Sequence, residues 1–228
     1  MPSDGSILLL TLRVAAVSTL VILPIGVGAA WLLARRAGPG RTLAETILSL
    51  PLVLPPTAVG ILLLEALRRS GPLGRLLDRA GIEIVFTWKA VVLATAVMSF
   101  PLLVRPVRAA FEEVDPRLLA MARSLGDTPL RAFWRVALPL SWRGILAGTL
   151  LAFSRALGEF GATILIAGNI PGRTQTLALA IFQRNQIGQD DAAMRLVAIT
   201  VVLAFVTVWT TEVITRKKAR ARAGESPA

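Results

Sequence analysis

Apolar residues run through this chain in long blocks, separated by shorter stretches rich in arginine, glycine and proline. Five blocks stand out, at roughly 8–34, 46–68, 87–110, 140–165 and 194–215. Each holds on the order of 20 residues with almost no charge, the length a helix needs to cross about 30 Å of hydrocarbon. Alternating strands of about ten residues are absent, and inside lipid only helices and closed barrels satisfy their own backbone. The pattern therefore predicts an all-α membrane protein of about five transmembrane helices, forming one transmembrane domain over 1–228. No internal repeat or low-complexity tract interrupts it.

Proline punctuates several of these spans: Pro24, Pro51, Pro55, Pro56, Pro101 and Pro106. Each removes a backbone donor and is expected to kink or break its helix. The densest cluster is SLPLVLPPTAVG (Ser49–Gly60). Two readings stay open: a bent helix that only packs, or a broken segment lining a transport path, as discontinuous helices do in transporters. On the second reading Thr57 is a candidate path residue.

Composition agrees with the pattern. The chain of 228 residues is 54% hydrophobic and 17% charged, with mean hydropathy +0.67. The net charge of +11 is read first as arginine-rich cytoplasmic loops rather than as a nucleic-acid surface. With five spans the termini fall on opposite sides. Placing the C-terminus inside gathers Arg35, Arg36 and Arg41, then Arg105, Arg108, Arg117, Arg123, Arg131, Arg135 and Arg143, then Arg216, Lys217, Lys218, Arg220 and Arg222 on the cytoplasmic face. The outer loop after the second span keeps Arg68, Arg69, Arg75, Arg79 and Lys89. The expectation is N-terminus out, C-terminus cytoplasmic, with a basic tail over 216–228 that frays. The N-terminus lacks a basic region followed by a small-residue cleavage site, so Ile7–Leu33 reads as a retained span.

The chain has no cysteine and no histidine. Thiol chemistry, disulfides, Cys/His zinc sites and histidine-based triads are thereby excluded. No GxxxxGK[ST] segment occurs, so there is no phosphate-cradling P-loop. If transport is driven by ATP, the ATPase is another polypeptide; no catalytic residue, metal or cofactor is expected in this one.

Between the third and fourth apolar blocks lies AMARSLGDTPLRAFWRVALPL (Ala120–Leu140), in a loop over about 111–139. Asp115-Pro116 is a good helix start, an N-cap acid followed by proline at the first helical position. Leu118, Met121, Ala122 and Leu125 then share one helical face. Gly126 is placed to end that helix in a left-handed conformation. Asp127 or Thr128 is placed to cap the next, with Pro129 in its first turn. There Leu130, Phe133, Trp134 and Ala137 follow helical spacing, opposite Arg131 and Arg135, and Pro139 is expected to close the helix. Such a pair is too short to cross a membrane. It suits either the headgroup surface or a groove on a cytosolic partner.

Two charges sit inside the fourth block, Arg155 and Glu159, at i, i+4. They form either a self-neutralising pair or, with Ser154, part of an oxyanion path or gate. Gly158 and Gly161 flank Glu159 and allow close helix approach. The segment Ala167–Asp191 has a turn around Asn169, Pro171 and Gly172 and an apolar run too short to span. It reads as a packed loop or as an outer docking surface.

Ala120–Leu140 resembles the EAA loop of ATP-binding-cassette importer permeases: Glu-Ala-Ala, three residues, glycine, nine residues, Ile-x-Leu-Pro. Gly126 matches the glycine, and Val136, Ala137, Leu138 and Pro139 match the end; Ala120-Met121-Ala122 departs from Glu-Ala-Ala. The likeness extends to SLPLVLPPTAVG, to VMSFPLLVRPVRAAFEEVD (Val97–Asp115) and to FSRALGEFGATILIAGNIPGRTQTLALAIF (Phe153–Phe182). Together these resemble the molybdate permeases of the type I importers, with sulfate permeases similar around SRALGE.

That resemblance implies the following expectations. Leu118, Ala120, Met121, Ala122, Leu125, Gly126 and Asp127 would dock on an ATPase subunit. Two copies of the chain would pair with two cytosolic ATP-binding subunits, which bind the ATP and magnesium, and with an extracytoplasmic molybdate-binding protein. The site of action would be the bacterial cytoplasmic membrane, with lipid around the dimer. Cargo would be molybdate; tungstate, sulfate or thiosulfate are the alternatives, and a non-transporting membrane scaffold or sensor is the alternative of another class.

Overall fold

The computed structural model describes the backbone of residues 2–223 and side chains as far as Glu212; 224–228 and the side chains of the basic tail lie outside the described residues. The chain folds as α1 (Asp4–Arg35), α2 (Pro39–Val53), α3 (Pro56–Leu67), α4 (Gly74–Arg79), α5 (Trp88–Glu112), α6 (Pro116–Ser124) and α7 (Pro129–Ala132). A π-helical turn (Phe133–Ala137) leads into α8 (Leu138–Leu157), followed by α9 (Gly161–Ala167), α10 (Leu177–Gln186) and α11 (Asp190–Ala223). No strand occurs among the described residues.

α5 is the centre of the bundle, packed against both α1 and α8, which also touch each other. Its inward residues, among them Val91, Leu103 and Val107, are fully buried. Close approach comes from small side chains, as expected where apolar burial alone cannot drive helix association. A Cβ on Gly148 of α8 would stand 2.8 Å from the Leu103 carbonyl oxygen. Polar ties fix the ends. The buried Thr11 hydroxyl on α1 accepts from the Leu177 N–H at 2.9 Å, capping α10 from a distant part of the chain. In α1 itself Ser3 accepts from the Ser6 N–H at 3.3 Å.

Four helical stretches are long and apolar enough to cross a membrane: Asp4–Arg35, Trp88–Glu112, Pro129–Leu157 and Asp190–Glu212. The second expected span is different. It is the pair α2 and α3, bent by 109° at the break. Of the two readings of Ser49–Gly60, the broken segment is the one that forms; the bounds 46–68 are corrected, since helix begins earlier, at Pro39, stops at Val53 and restarts at Pro56. Pro55 and Pro56 have no N–H to give, and a residue before proline is pushed out of the helical region; Leu54 takes ψ 143°.

Two further expectations need correction. The sequence places the fourth span at 140–165, but its helix starts at Pro129 and ends at Leu157, and the chain breaks over Gly158–Phe160 before α9. Pro139 does not close a separate short helix. The π-turn absorbs it: the Leu138 N–H bonds back to the Phe133 carbonyl, five residues away, and the helix continues through Pro139. Elsewhere proline is tolerated inside long helices, as at Pro24 in α1 and at Pro101 and Pro106 in α5.

Candidate functional site

Two regions stand out: a short helical hairpin at one end of the bundle, and a pair of apposed helix breaks inside it.

The hairpin is α6 and α7. Asp115 Oδ1 accepts from the Arg117 N–H at 2.8 Å, with Pro116 as the first helical residue. Gly126 stands at φ +94°, and the Asp127 N–H reaches back to the Ala122 carbonyl at 3.0 Å, closing α6 as a glycine cap does. Thr128 caps α7, accepting from the Arg131 N–H at 3.3 Å. Asp127 does not cap; its Oδ1 lies 3.2 Å from Arg135 Nη1. Because α7 runs without a break into α8, the hairpin is a rigid extension of a membrane helix.

The hairpin is moored by an aromatic cluster. Trp31 of α1 packs on Phe111 of α5 and on Phe133 of the π-turn, with centroids 5.2 and 5.0 Å away. Leu119, Ala122, Ala132 and Ala137 are buried beside them. The outer side is left bare. Leu118 (43% exposed), Met121 (61%), Leu125 (86%), Leu130 (67%) and Trp134 (59%) form an apolar ridge facing away from the bundle. Ala120 is exposed too, Val136 and Leu138 are half-buried, and Pro139 is exposed. The face expected from Leu118, Met121, Ala122 and Leu125 is thus divided: Ala122 joins the core, and the other three project outward.

The second region joins positions a hundred residues apart in sequence. α3 packs along α9, and a Cβ on Gly60 would meet the Ala162 carbonyl oxygen at 2.8 Å. A Cβ on Gly161 would meet Pro56 Cβ at 2.7 Å and Thr57 N at 3.4 Å. The break after α2 therefore abuts the break after α8. At the latter, the buried Glu159 bridges both sides: Oε1 accepts from the Ala162 N–H at 2.9 Å, and Oε2 lies 2.7 Å from Arg155 Nη2. One carboxylate neutralises a guanidinium and occupies the first turn of α9, where a negative charge is favoured. Ser154 Oγ donates to the Leu150 carbonyl at 2.8 Å, so its proton is already engaged. Of the candidate path residues, Thr57, Arg155 and Glu159 gather around this junction, with Thr57 exposed and Arg155 half-buried.

A third group was not singled out from the sequence. At the hairpin end of the bundle, Glu45 of α2 takes Arg41 at 2.6 Å and contacts Arg108 of α5. Glu112 contacts Arg41 and lies 3.7 Å from Arg108. One turn away, Arg105 Nη2 donates to Ser49 Oγ at 2.9 Å. The i, i+4 spacings of Arg41 with Glu45 and of Arg108 with Glu112 were visible signals; the joining of α2 to α5 was not.

The loop after α9 is ordered by its own side chains. Thr174 Oγ1 accepts from the Ile170 N–H at 2.9 Å and donates to the Gly168 carbonyl at 3.2 Å. Asn169 donates to Gln183 at 3.1 Å. Thr174, Gln175 and Thr176 are buried.

Comparison with known proteins accords with this geometry. Residues 22–220 match the family model described as "Binding-protein-dependent transport system inner membrane component". The chain is 47% identical over 218 residues to the molybdenum transport system permease protein ModB of Escherichia coli (strain K12), covering 95% of each chain. It is 42% identical to ModB of Mycobacterium tuberculosis, covering 91% of this chain and 78% of that one. The sulfate transport system permease protein CysT of Salmonella typhimurium is 37% identical, over 83% of this chain and 68% of that one. Among solved structures, a bacterial importer of the polysaccharide alginate superposes with TM-score 0.73 at 19% identity, over 95% of this chain and 80% of that one. The inward-facing methionine transporter MetNI gives TM-score 0.69 at 20% identity, over 91% and 92%. With a family model covering most of its length and full-length relatives well above 30% identity, the chain belongs to the inner-membrane components of binding-protein-dependent transport systems.

Proposed function

We propose that this chain is the membrane-spanning permease subunit of an ATP-driven importer that carries molybdate across the bacterial cytoplasmic membrane by alternating access. The observation that carries the mechanism is the hairpin. It is welded to α8 at its base and tied to α1 and α5 by Trp31, Phe111 and Phe133, yet it offers Leu118, Met121 and Leu125 to a partner. Large apolar side chains left bare at the end of a bundle fit insertion into a groove on another protein. A displacement imposed there would pass directly into the core helices, because a packed interior transmits strain.

The supply of that displacement falls to two ATP-binding subunits, which hold ATP and magnesium. A second copy of this chain completes the path, and an extracytoplasmic binding protein delivers the oxyanion. This subunit performs no covalent chemistry; it converts a partner's closing motion into rocking of its helix bundle against that of the second copy, with the α3–α9 contact carried along as one body. Selectivity rests with the binding protein, because a path that bound its dianion tightly would stall. The N-terminus lies outside and the hairpin and C-terminus in the cytoplasm, the arrangement favoured by the arginine distribution.

Molybdate as cargo is supported by likeness to the molybdenum permeases at up to 47% identity over nearly the whole chain. A second reading, sulfate, is supported by likeness to a sulfate permease at 37% identity. Vesicles reconstituted with this chain, its ATPase and its binding protein test both. Accumulation of molybdate that needs internal ATP, and that excess sulfate fails to suppress, is the expected result. Accumulation without nucleotide, or import of sulfate alone, would overturn the reading.

A further inference from the structure

Between α1, α2 and α5 lies a cavity of about 340 Å³, lined by Leu33, Leu48, Val104, Ser49, Arg105 and Arg108 together with Glu45. Its charges are unevenly matched. Glu45 and Glu112 between them hold Arg41 and Arg108, two carboxylates against two guanidiniums. Arg105 is left over: among the described residues no carboxylate comes within ion-pair distance of it, and its one side-chain partner is the neutral Ser49 hydroxyl at 2.9 Å.

A guanidinium has five donors and no acceptor. In this arrangement one is used. Ser49 accepts that bond through its oxygen, and among the described residues its own proton goes to no acceptor. Arg105 and Ser49 together thus present a forked donor set and a hydroxyl donor toward a groove whose other walls combine Leu33, Leu48, Pro101 and Val104 with the paired Glu45 and Arg108. Planar forked donors match tetrahedral and carboxylate oxyanions in two-point contact; Arg105 is exposed, so the attraction is screened and the contact weak. The Glu45 carboxylate in the same lining keeps the site from becoming a strong trap.

Position gives this set a role. Ser49 is six residues before Pro55, about 9 Å along the helix axis from the α2–α3 break. Arg105 and Arg108 sit on the last turns of α5, just before the hairpin. Resting on the importer reading, we infer that Arg105 and Ser49 form a weak, transient site for a tetrahedral dianion, molybdate or sulfate, between the apposed breaks and the hairpin end of the permease. The dianion accepts hydrogen bonds from the Arg105 guanidinium fork and from the Ser49 hydroxyl. The ion pairs of Glu45 and Glu112 hold the neighbouring arginines out of the exchange.

The absence of cysteine in this chain makes a direct test possible. In the complete complex with its ATPase, purified in lipid-free micelles, Leu48→Cys places a single thiol of this subunit on the cavity wall without touching Arg105 or Ser49. Its reaction with an anionic thiosulfonate is followed on this subunit, with and without molybdate at constant ionic strength. Molybdate at twice its dissociation constant slows labelling roughly threefold by mass action; in an Arg105→Gln background the slowing disappears, and Arg105→Lys restores part of it. No slowing by molybdate up to tens of millimolar (about the weakest binding a waypoint could use), or slowing that survives Arg105→Gln, overturns the inference. Slowing caused by added anionic phospholipid but not by molybdate also overturns it, and marks Arg105 as a headgroup anchor. Should Leu48→Cys fail to assemble, uptake per ATP hydrolysed in Arg105→Gln and Arg105→Lys vesicles decides: a loss in Gln that Lys partly repairs is expected, and equal uptake in both and in the unaltered chain refutes the site. Wild-type uptake reports separately on the importer reading, so protection without transport, or transport without protection, tells the two apart.

Discussion

Gly161 stands so close to Pro56 that a methyl group in place of its hydrogen would lie 2.7 Å from the proline Cβ. This contact sets the first turn of α9 against the first turn of α3, and with it the two places where the membrane helices are interrupted. Gly60 repeats the relationship one turn on, against the Ala162 carbonyl. Gly161→Ala and Gly60→Ala each force backbone apart, a cost of about 1–3 kcal/mol for overpacking a tight site. Both variants are expected to lower the thermal midpoint of the purified complex and to reduce ATP-driven uptake. An unchanged midpoint in both would mean that the two breaks are not in rigid contact.

Leu125, Met121 and Leu118 contribute little to the fold, since they already face solvent. Replacing Met121 and Leu125 with aspartate places charge in the proposed contact while leaving the core intact. Surface changes of this kind usually move stability by less than about 0.5 kcal/mol. The expected outcome is a permease of normal thermal stability that no longer retains the ATPase during purification. Retention of the ATPase with full activity would remove the ridge from the interface.

Gly126 isolates the backbone from packing. A Cβ there would meet open space, and φ is +94°. Gly126→Ala therefore acts through conformation alone, at about 1–3 kcal/mol. Asparagine, which enters the left-handed region more readily, is expected to cost less. The ordering glycine, asparagine, alanine should appear both in resistance of 124–129 to proteolysis and in uptake. Equal behaviour of all three would show that the cap is dispensable.

Glu159 holds both Arg155 and the start of α9. Glu159→Ala leaves the Arg155 guanidinium, 27% exposed, without its carboxylate and the first turn of α9 without its acceptor, at a cost of about 1–3 kcal/mol. Glu159→Gln keeps an acceptor for the Ala162 N–H and should lose less. Removing both partners, Arg155→Ala with Glu159→Ala, should recover part of the loss. Thermal unfolding of the four forms is the measurement. A double variant no better than Glu159→Ala would mean that the carboxylate matters chiefly as the α9 cap.

Much of this architecture could be read without coordinates. The all-helical membrane class followed from long uncharged runs, and the hairpin from its terminators. Asp115 with Pro116, Gly126 and Thr128 all act where their chemistry places them. What misled was the treatment of proline as a boundary. Pro139 sits in a helix that carries on because the π-turn before it shifts the hydrogen-bond register, whereas Pro55 and Pro56, adjacent to each other, leave no register to shift to.

Local chemistry therefore determined what each segment is: hydropathy sets whether a helix enters lipid, and a cap or an i, i+4 pair such as Arg155 and Glu159 is settled within a few residues. The fold alone decided what the segments do to one another. It put the break at Pro55 beside the break at Glu159, turned Leu125 outward and Ala122 inward, and left Arg105 with a serine where Arg108 received a carboxylate. Those relations join residues some fifty to a hundred positions apart. They depend on which small side chains let helices approach and on which charges the packing has already paired, and no short window of sequence contains either.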